Sequence, residues 1–137
     1  MPDLRNTITD EFQYTVESLL FRNKSILDQI TKYQDSCARV NRTIAKSATH
    51  CGCIRINTDK QKYPDDDSET SLEELKYLMD DHINGELCDS CRDLLEKEIG
   101  RNLFYLASIC NTLDLNLYDI IIKELERVKI LGNFTLR

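Results

Sequence analysis

Apolar side chains recur at intervals of three or four residues along most of the chain, which is the spacing of one face of an amphipathic helix. This pattern predicts a first helix over residues 7–22, where Thr7 and Asp10 have the spacing of a capping box. It predicts a second helix from about residue 25 to 48. The two segments could also form one bent helix, because periodicity alone does not fix a break between them.

The second half of the chain repeats this helical spacing in three further segments. A short helix is predicted over residues 71–83, and Ser71 with Glu74 supplies a capping box at its start. A longer and strongly periodic helix is predicted over residues 91–110, and a last one over residues 116–132.

Three stretches interrupt the helical pattern. Residues 54–57 alternate between apolar and polar side chains, which predicts a short extended segment. Residues 57–70 are polar and acidic, which predicts a mobile loop. Asn84-Gly85 predicts a helix stop. The whole pattern therefore predicts a single all-α domain over residues 1–137. We expect a bundle of four or five helices that forms a homodimer through its apolar faces.

Length and composition restrict where such a domain would reside. The chain has 137 residues and no run of about 18 apolar residues, so we expect no membrane span. Its first residues lack the apolar segment of a secretory signal, which favours a cytoplasmic location. In a reducing compartment, its six cysteines are expected to be metal ligands or buried thiols rather than disulfides.

Four of the six cysteines form two close pairs, a C-x-C motif and a C-x-x-C motif. The pairs are Cys51 with Cys53, and Cys88 with Cys91. Four thiolates match the tetrahedral, sulfur-preferring coordination of Zn²⁺. Gly52 permits the tight turn that two ligands one residue apart require. The spacing predicts a structural zinc clamp that closes residues 54–87 into a loop.

A helix over residues 96–107, followed by the turn of residues 111–117, resembles the second half of the MazG-type all-α nucleotide pyrophosphohydrolases. That family holds Mg²⁺ with an E-x-x-E pair on one helix and an E-x-x-D pair on another. Here the residue three positions after Glu98 is Arg101, and the earlier helix has Asp35 as its only carboxylate in the corresponding region. The resemblance therefore implies a non-catalytic relative with degenerate metal-binding acids.

The spacing of the cysteines also resembles the redox switch of a bacterial zinc-dependent chaperone, which has C-x-C and C-x-x-C motifs at a comparable separation. The resemblance is confined to the four ligands. It implies a site from which oxidation would release zinc and unfold the connecting loop.

Charge is unevenly distributed along the chain, whose net charge is −6. Residues 1–63 hold ten basic and seven acidic side chains, whereas residues 64–137 hold eight and seventeen. The basic residues around the first cysteine pair could form a nucleic-acid patch, or a solvated face that pairs with the acidic second half. These residues are Arg39, Arg42, Lys46, Arg55, Lys60 and Lys62.

The sequence contains no phosphate-binding glycine loop and no convincing Ser/His/Asp or Cys/His nucleophile set. We therefore expect a non-enzymatic, zinc-stabilised helical interaction or regulatory protein that has a protein partner. Two alternatives stay open, namely a divergent nucleotide pyrophosphohydrolase and a redox-responsive zinc switch.

Overall fold

A computed structural model describes residues 4–63 and 71–132, and it confirms the predicted all-α architecture. Five α-helices and one short two-stranded antiparallel ribbon make up the described residues. The helices are α1 (Leu4–Leu19), α2 (Ile26–Lys46), α3 (Leu72–Leu78), α4 (Asp89–Thr112) and α5 (Leu117–Leu131). The strands are β1 (Ile54–Ile56) and β2 (Ile83–Gly85). Within these ranges, no helix has both the length and the apolar character that a bilayer crossing requires.

Polar side chains join α2 to α4, which run antiparallel along one another. Gln29 is fully buried near the start of α2; its amide nitrogen donates to Thr112 Oγ1 (2.8 Å), and its amide oxygen accepts from Ser108 Oγ (2.7 Å) near the end of α4. Further along, Asn102 Nδ2 donates to Ser36 Oγ (3.1 Å). Because buried polar groups are stable only when hydrogen-bonded, these contacts fix the register of the two helices.

The small apolar core lies where α1, α4 and the start of α5 meet. Its buried residues are Val16, Ala107, Cys110 and Leu117, with Phe104 packed against them. Gln13 on α1 holds the turn between α4 and α5, because its side chain donates to the carbonyl of Leu115 (2.7 Å) and accepts from the amide of Leu117 (2.8 Å). The two long helices and α1 therefore form one packed unit.

The first two predicted helices are separate, and their ends differ from the predicted ones. Helix α1 begins at Leu4, so Thr7 lies within it and is not its N-cap. Ser25 caps α2, and its hydroxyl accepts from the amide of Leu27. The α-helical hydrogen bonding of α2 ends at Lys46, where the chain widens into a π-helical turn, Ser47–Cys51.

The predicted helix over residues 71–83 is correct at its start and wrong at its end. Ser71 and Glu74 form the predicted capping box. The helix ends at Leu78, because the carboxylates of Asp80 and Asp81 accept hydrogen bonds from backbone amides two residues further on. The predicted stop at Asn84-Gly85 is likewise wrong, since both residues belong to β2.

The extended segment predicted over residues 54–57 is confirmed as β1. Of the acidic loop predicted over residues 57–70, residues 64–70 lie outside the described residues. Residues 57–63 contain no helix or strand. Hydrogen bonds connect them to residues 80–82, which precede β2. Gln61 exchanges two hydrogen bonds with the backbone of Asp80 (2.7 and 2.8 Å), and His82 Nε2 donates to the carbonyl of Asp59 (2.6 Å).

Candidate metal centre

The first cysteine pair is positioned by the π-helical turn that follows α2. The amide of Gly52 donates to the carbonyl of Ser47 (2.9 Å), a bond that spans five residues and ends the turn at Cys51. Gly52 itself adopts a left-handed conformation (φ 81°), which gives the tight turn predicted between the two cysteines. This reversal directs the chain from Cys51 into Cys53 and then into β1.

The second pair is positioned by the start of α4. Cys88 is the N-cap residue of this helix, and its sulfur accepts a hydrogen bond from the amide of Cys91 (3.4 Å). A helix N-terminus carries a partial positive charge, which favours a thiolate at this position.

The two-stranded ribbon brings the pairs together. Strand β1 begins directly after Cys53, strand β2 ends three residues before Cys88, and Ile54 pairs with Gly85. Gly85 has φ 90°, and a Cβ atom at this position would lie 2.7 Å from the carbonyl oxygen of Cys53. The backbone of β2 therefore approaches the first cysteine pair more closely than a side chain would allow.

The four thiols converge as the sequence predicts. All four sulfur atoms lie within 4.8 Å of one another, and Cys51 Sγ is 3.7 Å from Cys88 Sγ. A disulfide requires about 2 Å between sulfurs, and all six cysteines are free. Sulfurs bound to one tetrahedral Zn²⁺ at about 2.3 Å lie about 3.8 Å apart. The arrangement could hold a metal ion, and among the described residues it is the only such group of cysteine, histidine or acidic side chains.

Without a metal, the cluster favours one thiolate over several. The hydrogen bond from the Cys91 backbone lowers the pKa of Cys88 to about 7. A hydrogen bond with Ser47 lowers the pKa of Cys91, but the neighbouring thiols and burial outweigh it and raise this pKa to about 12. Because adjacent negative charges oppose one another, a cation is needed to keep all four sulfurs ionised.

A second polar site, a cleft between α2 and α4, brings together the few acids that the sequence comparison singled out. Asp35 and Glu98 both line this cleft, which has a volume of about 350 Å³. Arg39 and Arg42 line it as well, so basic side chains accompany the two carboxylates. Arg101 lies beside Glu98, with 3.8 Å between Nη1 and the carboxylate oxygen Oε2.

The other predicted basic residues are exposed and lie elsewhere. Lys46 is at the end of α2, Arg55 is on β1, and Lys60 and Lys62 follow that strand. Sequence reasoning missed the role of Gly85, because its position after a helical pattern is equally typical of a C-cap. Its pairing with Ile54 is a long-range contact that no local pattern indicates.

Comparison with known proteins does not identify a family for this chain. No protein-family model, no curated protein and no solved structure matches the chain. The resemblance to MazG-type enzymes and to the chaperone switch therefore stays a prediction.

Proposed function

We propose that this chain is a non-enzymatic helical interaction protein whose fold is stapled by one Zn²⁺ ion and whose partner is a second copy of itself. The observation that supports this most directly is the convergence of four cysteine sulfurs at tetrahedral spacing. A metal held by four thiolates has no open position for a substrate, which is typical of structural rather than catalytic zinc.

Zinc is the metal that best fits the donor set. Four sulfur atoms disfavour Mg²⁺ and Ca²⁺, which require oxygen ligands. The ribbon that joins the cysteine pairs is only three residues long on each strand. Because an isolated two-stranded ribbon is marginally stable in water, a metal at its end would supply the missing stabilisation.

An apolar surface beside the polar α2–α4 contact supports the second copy. We define the apolar flank as Ile26, Ile30, Cys37, Val40 and Ile44 of α2 with Leu95, Ile99, Leu103 and Leu106 of α4. Four of its members expose between 36% and 48% of their surface: Ile30, Ile44, Ile99 and Leu103. At helical spacing these members share one side of each helix, and an exposed apolar surface of this kind supports an interaction site.

A second copy is the occupant that this flank fits by geometry. Helices α2 and α4 form an antiparallel pair with one apolar side, and two such pairs can bury these sides against each other in a four-helix bundle. A two-fold axis places the same patch on both partners, so the flank needs to be complementary only to itself.

Native mass spectrometry and metal analysis of the purified chain test the zinc assignment. We expect one zinc per chain. The Cys88→Ser variant should lose most of this metal, whereas Cys37→Ser, which removes a thiol outside the cluster, should keep it. A metal-free parent protein, or equal zinc content in both variants, would contradict the assignment.

Size-exclusion chromatography with light scattering tests the partner. We expect a dimer that becomes monomeric in Ile30→Asp or Ile99→Asp while the zinc content is unchanged, because each change places a charge in the apolar flank. Tyr77→Asp is the matched control, since Tyr77 is an exposed apolar residue on α3 outside the flank. A monomeric parent would refute the dimer.

The enzymatic alternative, a divergent nucleotide pyrophosphohydrolase, predicts that the chain hydrolyses nucleotides. Mg²⁺-dependent hydrolysis of nucleoside triphosphates that is lost in Glu98→Gln but kept in Glu96→Gln would overturn the non-enzymatic proposal. Glu96 is on the same helix, is exposed and does not line the cleft.

A further inference from the structure

Helix α5 is anchored at its first turn, and its second half is exposed. Leu117 in that turn is buried, and its amide donates to Gln13 Oε1 (2.8 Å) on α1. Residues 123–130, in contrast, are all exposed. They include the apolar residues Leu125 and Val128, so part of the apolar side of α5 is left uncovered by the residues that the structure describes.

The apolar residues on this side of α5 have the spacing of a coiled-coil seam. Tyr118, Ile121, Leu125 and Val128 are separated by three, four and three positions, which is the a–d–a–d spacing of a heptad repeat. We call these four residues the α5 seam. Ile121, Leu125 and Val128 expose 48%, 46% and 52% of their surface. Residues in such a seam are normally buried against a second helix.

Two residues of opposite charge flank the α5 seam. In its heptad register, Glu124 is at position g and Lys129 is at position e. The Lys129 ammonium group makes no ion pair or hydrogen bond with any residue that the structure describes. Glu124 is half-exposed, and its carboxylate accepts from Arg127 Nε (2.9 Å) on the same helix. Both charges are therefore accessible to a helix that covers the seam.

These charges select the orientation of a second α5 helix. In a parallel pair, position g of one helix faces position e of the next heptad on the other helix, five residues further along. Glu124 would then face Lys129 of a second copy, and the two-fold symmetry gives this ion pair twice. In an antiparallel pair, position g faces g and position e faces e, so no contact between opposite charges forms.

We propose that α5 pairs in parallel with α5 of another copy of this chain, through the α5 seam and two Glu124–Lys129 ion pairs between the chains. The seam is only about two heptads long, so the contact is weak and should form at chain concentrations near about 1 mM. None of its residues belongs to the apolar flank. The inference therefore does not depend on the dimer proposed above, and such dimers would associate further through α5.

Sedimentation equilibrium of full-length, zinc-loaded chains, up to about 1 mM, measures this contact. The reference is Ile30→Asp, in which the apolar flank is not expected to pair, and all further changes are made in this variant. We expect the reference to form reversible dimers near the highest concentration. Adding Leu125→Asp, which places a charge in the seam, should abolish them. The flank itself is tested in dilute parent protein, so the two results are independent.

Charge reversals test the parallel orientation. Lys129→Glu should weaken the association about tenfold or more, because acidic groups then face each other at both flanking positions. Lys123→Glu is the matched control, since it makes the same charge change at position f, on the side of α5 away from the seam, and should have no effect. Glu124→Lys should weaken the association as Lys129→Glu does. Circular dichroism shows whether each variant keeps its helices.

An equimolar mixture of the Lys129→Glu and Glu124→Lys chains should associate as tightly as the reference, because every acidic position then faces a basic one. Recovery in the mixture, together with loss in each variant alone, would support the parallel pair. Equal association of Lys129→Glu and Lys123→Glu would overturn it, as would association that survives Leu125→Asp. A reference that stays monomeric near 1 mM would overturn it as well.

Discussion

Gly85 is the position at which one added methyl group should disturb the candidate metal centre most. In Gly85→Ala, the new Cβ atom would lie 2.7 Å from the carbonyl oxygen of Cys53, in a backbone conformation with φ 90° that residues with a side chain rarely adopt. Both atoms belong to the segments that bring the two cysteine pairs together. The clash therefore has to be relieved by moving β2 away from Cys53.

Comparison with Gly52 separates the two contributions to this cost, which are backbone strain and the steric clash. Gly52 also has a positive φ (81°), but a Cβ atom there would have no neighbour within 4 Å. Gly52→Ala should therefore cost only the conformational strain, about 1–2 kcal/mol. Gly85→Ala adds a backbone clash of about 1–3 kcal/mol, so its total should be about 2–5 kcal/mol.

Gly100→Ala is the control with the opposite sign. Gly100 lies within α4, and a Cβ atom there would also have no neighbour within 4 Å. Alanine is about 1 kcal/mol more favourable than glycine inside a helix, so this variant should be stabilised by that amount.

Zinc affinity and unfolding would be measured together on all three variants, by competition with a chromophoric chelator and by urea denaturation of zinc-loaded protein at one fixed concentration. Because 1.4 kcal/mol is a factor of ten, Gly85→Ala should lose zinc affinity about tenfold or more. Zinc affinity in Gly85→Ala equal to that in Gly52→Ala, or unfolding at the same urea concentration as the parent, would refute the predicted clash.

Three further predictions concern the scaffold. Gln29→Met should lower the free energy of unfolding by about 2–4 kcal/mol in urea titrations, because Ser108 and Thr112 lose a buried partner; the exposed control Gln34→Met should change it by less than about 0.5 kcal/mol. Ser71→Ala should destabilise α3 by about 1 kcal/mol through loss of its capping box, with faster amide exchange in α3 and unchanged zinc affinity. Chelation of zinc should abolish amide-exchange protection in β1 and β2 and leave the centre of α4 protected, and uniform loss of protection would show instead that the metal supports the whole fold.

Local sequence determined most of the helices and which four cysteines form the candidate metal site. Helical spacing of apolar residues is a short-range property, so α2, α4 and α5 are close to their predicted positions. The capping box of Ser71 and Glu74 is equally local and was correctly predicted. Two cysteine pairs with short spacers are ligand motifs in any fold, so the sequence alone indicated which four thiols would converge.

Only the tertiary structure decided which sides of the helices are buried. The predicted apolar faces of α2 and α4 are partly exposed, whereas Gln29, Ser36 and Ser108 are buried between these helices. A polar side chain is read from sequence as solvated, and its burial depends on hydrogen-bond partners that are 66 to 83 residues away. The pairing of β1 with β2 and the burial of Glu98 in a cleft with Arg39 and Arg42 depend on such distant partners too, which is why no local pattern could reveal them.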